Sequence, residues 1–267
     1  MKVVLFCGGL GTRLREQAEN VPKPMVTIGY RPILWHVMKY YAHYGHKDFI
    51  LCLGYKADLI KNYFLEYDEC VSNDFVLTGG ERQITLLHRD IDDWRITFCD
   101  TGLHTNIGQR LLSVKKHLEG EEWFYANYSD GLTDMPLDTM TERFLASGKT
   151  GCFTLVKPTH SFHVVSMRED DVVADIQDLS SSNIQINGGF FVFRRGIFDA
   201  IRRGEELVHE PFQRLIAAKQ LVAYEHRGFW TCMDTFKDRQ RLEDLDATGR
   251  APWEVWKAPE PGGDLDT

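Results

Sequence analysis

Short, continuous apolar runs alternate along this chain with segments of helical periodicity. Val3-Val4-Leu5-Phe6 and residues 49–53 present no polar face, the pattern of strands buried on both sides of a parallel sheet. Between them Ile33, Leu34, Val37, Met38 and Tyr41 recur at helical spacing. Pro32 stands where a helix favours its first residue, and Gly45 is the stop. Leu59, Ile60, Tyr63 and Phe64 mark a second amphipathic helix. This alternation predicts a doubly wound α/β fold with a mixed, mostly parallel sheet. Ligands then belong where the carboxyl ends of the strands open into a crevice.

The middle of the chain changes rhythm. Ile84, Leu86 and His88 alternate with Thr85, Leu87 and Arg89, and Ile96 and Phe98 with Thr97 and Cys99, which predicts a β excursion ended by Asp100-Thr101-Gly102. Helices are expected at 108–118 and 137–145, and strands at 124–128 and 151–156. Residues 157–195 read as a small β-rich insertion, with short strands at 164–165, 172–176 and 188–193. Helices at 197–202 and 212–217, a strand at 221–224 and a helix at 236–245 complete one domain spanning 1–257. The Pro, Gly and Asp content of 258–267 predicts a flexible tail.

Composition narrows the class. The 267 residues are 43% hydrophobic and 26% charged, ordinary values for a globular protein, and no internal repeat is present. With 39 acidic against 31 basic residues the net charge is -8, which argues against a nucleic-acid partner, since a duplex demands a basic face. No apolar run reaches the length of a membrane span, and Met1-Lys2 leads directly into the first strand, so neither a leader nor a membrane partner is expected. The six cysteines sit mostly within apolar runs and form no Cys-x-x-Cys pair. They are read as buried, reduced thiols, which places the protein in the cytoplasm.

The first strand breaks into a glycine-rich turn, Gly8-Gly9-Leu10-Gly11, followed by Thr12, Arg13 and, further on, Lys23. Glycines let backbone N–H groups approach an anion closely, and successive N–H groups form an anion-binding concavity. Arg13 adds a forked donor and Lys23 a point charge. Two familiar nucleotide signatures fail here. A dinucleotide fingerprint needs Gly or Ala where Leu14 stands and an acid about 20 residues on, where Gly29, Tyr30 and Arg31 stand. A Walker loop needs Gly-Lys-Ser/Thr, and Gly11-Thr12-Arg13 is not that.

Phosphoryl chemistry also needs its charge neutralised, and Mg²⁺ is usually held by one or two carboxylates with phosphates and water. Asp130, after an apolar strand, and Asp234, between a strand and a helix, are the candidate pair. Each has a plainer reading: Asp130-Gly131 as a turn, Asp234 as a helix cap.

Gly8 to Leu14 followed by Pro22-Lys23-Pro24 closely resembles the signature of the sugar nucleotidyltransferases. Ser129-Asp130-Gly131 resembles the family's Gly-Asp-Gly, and residues 230–235 its second aspartate segment. Pro32-Ile33-Leu34-Trp35-His36, Gly54-Tyr55-Lys56, Asp100-Thr101-Gly102 before Gly108-Gln109-Arg110-Leu111, and residues 186–191 are similar to the glucose-1-phosphate cytidylyltransferase branch. The likeness covers most of residues 1–256. It implies a Mg²⁺-dependent enzyme moving CMP from CTP to a small phosphorylated acceptor with release of pyrophosphate, and it implies a homo-oligomer. By the same resemblance Arg13 and Lys23 are catalytic, Gly8, Gly9, Gly11 and Thr12 lie along the nucleotide, and Asp130 and Asp234 hold the metal. Thr101 and Arg110 are further nucleotide candidates, although Arg110 at a helix start also reads as a solvated surface charge.

The acceptor half departs from the family. Where relatives carry Glu-Lys-Pro, this chain has Gln177-Asp178-Leu179-Ser180, and Ser161-Phe162-His163 replaces Gly-Arg-Phe-Gly. A charge about 4 Å from a phosphate is worth about 4 kcal/mol at an effective dielectric of about 20, so the change at Leu179 is not silent. Lys157, Asn187 and Gly188 are the candidate acceptor residues, with His160 and His163 nearby. Three readings stay open: a different phosphate or phosphonate acceptor, glucose 1-phosphate with Lys157 as the substitute cation, or a nucleotide-binding regulator that has lost turnover.

Overall fold

A computed structural model of the chain describes residues 1–9, 21–80, 83–159 and 162–257. Eight strands form the central sheet: β1 (Lys2–Phe6), β2 (Asp48–Leu53), β3 (Arg95–Asp100), β4 (Trp123–Tyr128), β5 (Gly151–Val156), β6 (Ile186–Asn187), β7 (Phe191–Arg194) and β8 (Leu221–Glu225). From one edge to the other they run β3, β2, β1, β4, β7, β5 and β8, with β6 sharing an edge of β5 beside β7. β1 pairs in parallel with β2 and β4, β2 with β3, and β5 with β8; only β6 and β7 run the other way. Six strands therefore end on one side of the sheet, and their carboxyl ends carry Gly8, Gly54, Thr101, Ser129, Lys157 and His226.

The apolar runs have the cause expected of them. Val3 and Leu5 point into one core and Val4 and Phe6 into the other, as do Phe49, Leu51 and Leu53 against Ile50 and Cys52. The first core is covered by α1 (Ile33–His43), α2 (Ala57–Leu65) and, further along the chain, α4 (Leu137–Ser147). The second is covered by α3 (Ile107–Val114), α5 (Ile197–Ala200) and α6 (Glu210–Ala217). α7 (Phe236–Ala247) returns to the first core through Leu242, and the following Trp253 is fully buried there.

Several elements differ from the sequence reading. Pro32 precedes α1 as its extended cap residue. Residues 96–99, grouped with the β excursion, belong instead to β3. Their alternation arises because β3 is the sheet's edge and only partly covered. The excursion itself is a hairpin of Phe75–Thr78 with Gln83–Leu86, and a second hairpin joins His163–Met167 to Val173–Asp178. Residues 186–194, read as part of the insertion, are strands of the central sheet. The six cysteines are free thiols, but only Cys7, Cys52 and Cys152 are fully buried. Among the described residues no helix is long and apolar enough to cross a membrane. The expected tail, 258–267, lies outside the described residues, as do Gly11, Thr12, Arg13 and His160.

Candidate active site

The turn after β1 is shaped from beneath. Arg110, on α3, is 2% exposed, and its guanidinium donates to the carbonyls of Gly8 at 2.9 Å and Leu53 at 3.0 Å and to Thr101 Oγ1 at 2.7 Å. Thr101 in turn donates its hydroxyl to the Leu53 carbonyl at 2.8 Å. Burial lowers the pKa of Arg110 from its ordinary value. One arginine thus ties together the carboxyl ends of β1, β2 and β3. A Cβ at Gly8 would fall 2.0 Å from its Nη1, so close approach requires glycine there. Cys7 lies under the same turn, where burial raises its thiol to about 12 and keeps it neutral. Among the described residues, no atom lies within 4 Å of where a side chain at Gly9 would project.

The two carboxylates come together because their strands pair. Trp230–Cys232 runs antiparallel to Gly131–Thr133, with Cys232 opposite Gly131, and Met233 N–H donates to the Asp130 carbonyl at 3.0 Å. Downstream, Thr235 and Asp238 form a reciprocal capping box at the start of α7, and Asp238 also accepts from the Asp234 N–H at 3.1 Å. Asp234 is therefore fixed between a strand pair and a helix start. Upstream, Ser129 anchors the other side by donating to the Phe6 carbonyl at 2.9 Å.

Lys23 meets both acids. It opens the single turn Lys23–Met25 between Pro22 and Pro24, and its Nζ lies 2.6 Å from Asp130 Oδ2 and 2.5 Å from Asp234 Oδ1. Burial disfavours its charge, but the two carboxylates outweigh burial and raise its pKa above that of an ordinary lysine. The ammonium shows that this pair of acids converges on one cation. Two carboxylate oxygens, with the remaining positions filled by phosphate and water, is a donor set that fits Mg²⁺. Among the described residues no group of three His, Cys, Asp or Glu side chains converges elsewhere as a metal cluster.

At the other end of the crevice β6 and β7 are separated by a kink. Gly189 and Phe190 have φ of 77° and 49°, and the Phe190 N–H donates to Asn127 Oδ1 at 2.9 Å. Asn187 Oδ1 accepts from the Gly189 N–H at 2.9 Å, while the buried Gly188 gives its carbonyl to Trp230 Nε1 at 2.9 Å. The Trp230 ring and Lys157 both line an open cavity of about 990 Å³ at the ends of β5 and β8. Leu179 is half-buried at the base of the second hairpin, where its N–H donates to the Phe162 carbonyl.

Sequence reasoning did not single out Asn127, Glu225, Arg227 or Arg241. The last three line the cavity, and Asn127 sets the kink beside it. Apolar patterning hides Asn127 inside a strand, and the others read as ordinary surface charges.

A mostly parallel sheet whose carboxyl edge gathers a glycine turn, a lysine and two convergent acids defines an α/β protein built to handle phosphates. Residues 2–239 match the nucleotidyl transferase family, and the chain belongs to it. It is 38% identical over 258 residues to the glucose-1-phosphate cytidylyltransferase of Salmonella typhimurium, covering 96% of this chain and all of that relative. Mannose-1-phosphate guanyltransferase of Gibberella zeae is 23% identical over 248 residues, 89% of this chain and 62% of its own. The fold is shared with the UTP-bound UGPase from Acinetobacter baumannii, at a TM-score of 0.67 and 17% identity over 94% of this chain and 95% of that one.

Proposed function

We propose that this enzyme transfers CMP from CTP to a sugar 1-phosphate or a related phosphate or phosphonate acceptor and releases pyrophosphate. The observation that carries the reading is the convergence of Lys23, Asp130 and Asp234 beside the turn at Gly8. The acceptor's oxygen is already an anion when it attacks the α-phosphorus, so the site needs no general base. Catalysis is then positioning and charge stabilisation. Lys23 stabilises charge at the α-phosphate, Arg13 holds the departing pyrophosphate, and Gly8, Gly9, Gly11 and Thr12 line the nucleotide. Asp130 and Asp234 hold Mg²⁺, which neutralises the triphosphate when bound. Thr101 and Arg110 act from behind the turn, by holding the ends of β1, β2 and β3 in register.

The retained pair of acids favours an enzyme over a nucleotide-binding regulator, since a bare binder has little need of both. The test is pyrophosphate release from CTP with Mg²⁺ across glucose 1-phosphate, other sugar phosphates, alcohol phosphates and phosphonates, with UTP, dTTP and GTP as controls. Release with CTP and at least one acceptor, lost in Asp130→Ala, is expected. Bound CTP without release on any acceptor would point to the regulator. Near-normal turnover in Asp130→Ala would remove the metal assignment.

We also infer a homo-oligomer in the cytoplasm. Exposed apolar side chains on the two hairpins, among them Leu77, Ile84, Val165 and Ile176, support self-association, and six free thiols suit a reducing compartment. A solution mass equal to the 30.8 kDa of one chain would overturn the first of these readings.

A further inference from the structure

The cavity at the carboxyl ends of β5 and β8 carries more positive charge than its own ion pairs neutralise. Three lining residues are cations: Lys157, Arg227 and Arg241. Arg227 is committed to Glu225, with Nε donating to Oε1 at 3.0 Å and Nη2 to Oε2 at 3.2 Å; Gln185 adds a donor to Oε1 at 3.2 Å. Both oxygens of Glu225 are thereby engaged. Lys157, exposed at the end of β5, and Arg241, exposed on α7, make no hydrogen bond or ion pair with any described residue; Lys157 acts on Glu225 only through space, where after Arg227 it helps to hold that carboxyl below its ordinary range.

The rest of the lining suits a hydroxylated molecule. Trp230 has its indole N–H committed to Gly188, so its ring offers a flat apolar wall. His226 Nε2 faces two acceptors, Asp134 Oδ1 at 2.8 Å and the Phe229 carbonyl at 3.2 Å, so that nitrogen carries a proton and the ring is held against the cavity wall. Asn183 adds an amide. Arg241 also lies on the helix that begins directly after Asp234, which ties the cavity to the acid pair through a single rigid element.

We propose that Lys157 and Arg241 are the anion-reading pair of the acceptor site, and that the acceptor is a hydroxyl-bearing phosphate or phosphonate whose anionic group they hold. This deepens the transferase reading and rests on it for the word acceptor. A guanidinium fork meets two oxygens of a tetrahedral anion, and an ammonium meets a third as a point charge. The pair supplies from β5 and α7 the positive charge that Leu179 does not.

Titration calorimetry on the full chain without nucleotide tests the binding claim directly. The probes are glucose 1-phosphate, glycerol 3-phosphate, 2-hydroxyethylphosphonate and inorganic phosphate, with glucose as the uncharged control. At least one anionic probe should bind, glucose should not, and Lys157→Met and Arg241→Met should each weaken binding at least tenfold with unchanged circular dichroism. Lys157→Arg should stay within about threefold of the parent. In turnover assays both methionine variants should raise the acceptor KM at least tenfold and leave the KM for CTP within twofold. Anion binding that depends on both residues in a chain that never turns over CTP would sink the transferase reading and leave this one standing. Binding by no anionic probe, or binding unchanged in both variants, would overturn it.

Discussion

The guanidinium of Arg110 donates to the carbonyl of Gly8 at 2.9 Å, so a side chain from α3 holds the start of the glycine turn after β1 in place. Its other donors go to Leu53 and Thr101, all in a buried setting. Arg110→Met strands the buried Gly8 carbonyl, at about 1–3 kcal/mol, while the Leu53 carbonyl keeps the N–H and hydroxyl of Thr101 as donors. Urea denaturation should show a loss of about 2 kcal/mol, and Arg110→Lys should recover little because an ammonium cannot span the same acceptors. The KM for CTP should rise in the folded variants. A residue that only touched nucleotide would raise that KM at unchanged stability, and this outcome would refute the positioning role.

How far the sequence carries depends on what each residue's signal reflects. Two-sided burial prints continuous apolar runs, so β1, β2 and the doubly wound plan are legible in Val3 to Phe6 and Phe49 to Leu53 without coordinates. Edge strand β3 misleads because partial exposure imposes alternation on Ile96, Thr97, Phe98 and Cys99. Arg110 defeats composition-based reasoning altogether: an arginine at a helix start signals solvent, and only the packing of three strand ends above it makes it a core residue. Asp130 and Asp234 are legible as candidates, whereas their meeting at Lys23 depends on the pairing of Gly131–Thr133 with Trp230–Cys232. Arg241 is one charge among many on α7 until that helix is seen to border the cavity.

In the proposed site Lys23 and a divalent cation draw on the same two carboxylates. Removing the ammonium in Lys23→Met takes from Asp130 and Asp234 the cation that they share. The variant should be less stable than the parent in EDTA, and Mg²⁺ should raise its melting temperature more than that of the parent, because a ligand of the native state stabilises by mass action. A gain of about 1 kcal/mol corresponds to about 2–4 °C in a chain of this size. Its kcat should fall by about 10²–10³, the usual loss of one preorganised charge partner. EDTA should abolish pyrophosphate release in the parent, and Mg²⁺ should restore it. Equal Mg²⁺ shifts in parent and variant would show that the two cations do not share a site.

Asn127 sets the kink between β6 and β7, where Asn187 is bonded to Gly189 and Gly188 backs the Trp230 wall of the cavity. Its Oδ1 accepts from the Phe190 N–H, and Phe190 holds a φ of 49°, a conformation a bulky residue rarely adopts. Asn127→Ala should cost about 1–3 kcal/mol through the stranded N–H. It should also raise the acceptor KM more than the KM for CTP, since the kink borders the cavity proposed for the acceptor and not the glycine turn. Equal changes in both constants would place the effect in general destabilisation.

His36 gives the fold an acid limit. It is 3% exposed, its Nδ1 accepts from Trp253 Nε1 at 3.2 Å, and its Nε2 donates to the Ile28 carbonyl at 3.2 Å, so the folded ring is neutral. Burial lowers its pKa from 6.5 to about 4. The unfolded chain therefore binds the extra proton first: the stabilising contribution is complete above pH 6.5 and is lost as pH falls toward 4. By linkage the loss between pH 7 and pH 5 is about 2 kcal/mol from this residue. His36→Gln keeps an acceptor for Trp253 and a donor for Ile28 but does not titrate, so its unfolding free energy should change less over that range. The remaining slope should come in part from His46, which burial and the neighbouring N-terminal charge also lower to about 4. Urea titrations at pH 7, 6 and 5 measure both slopes, and parallel curves for parent and variant would rule out His36 as the source.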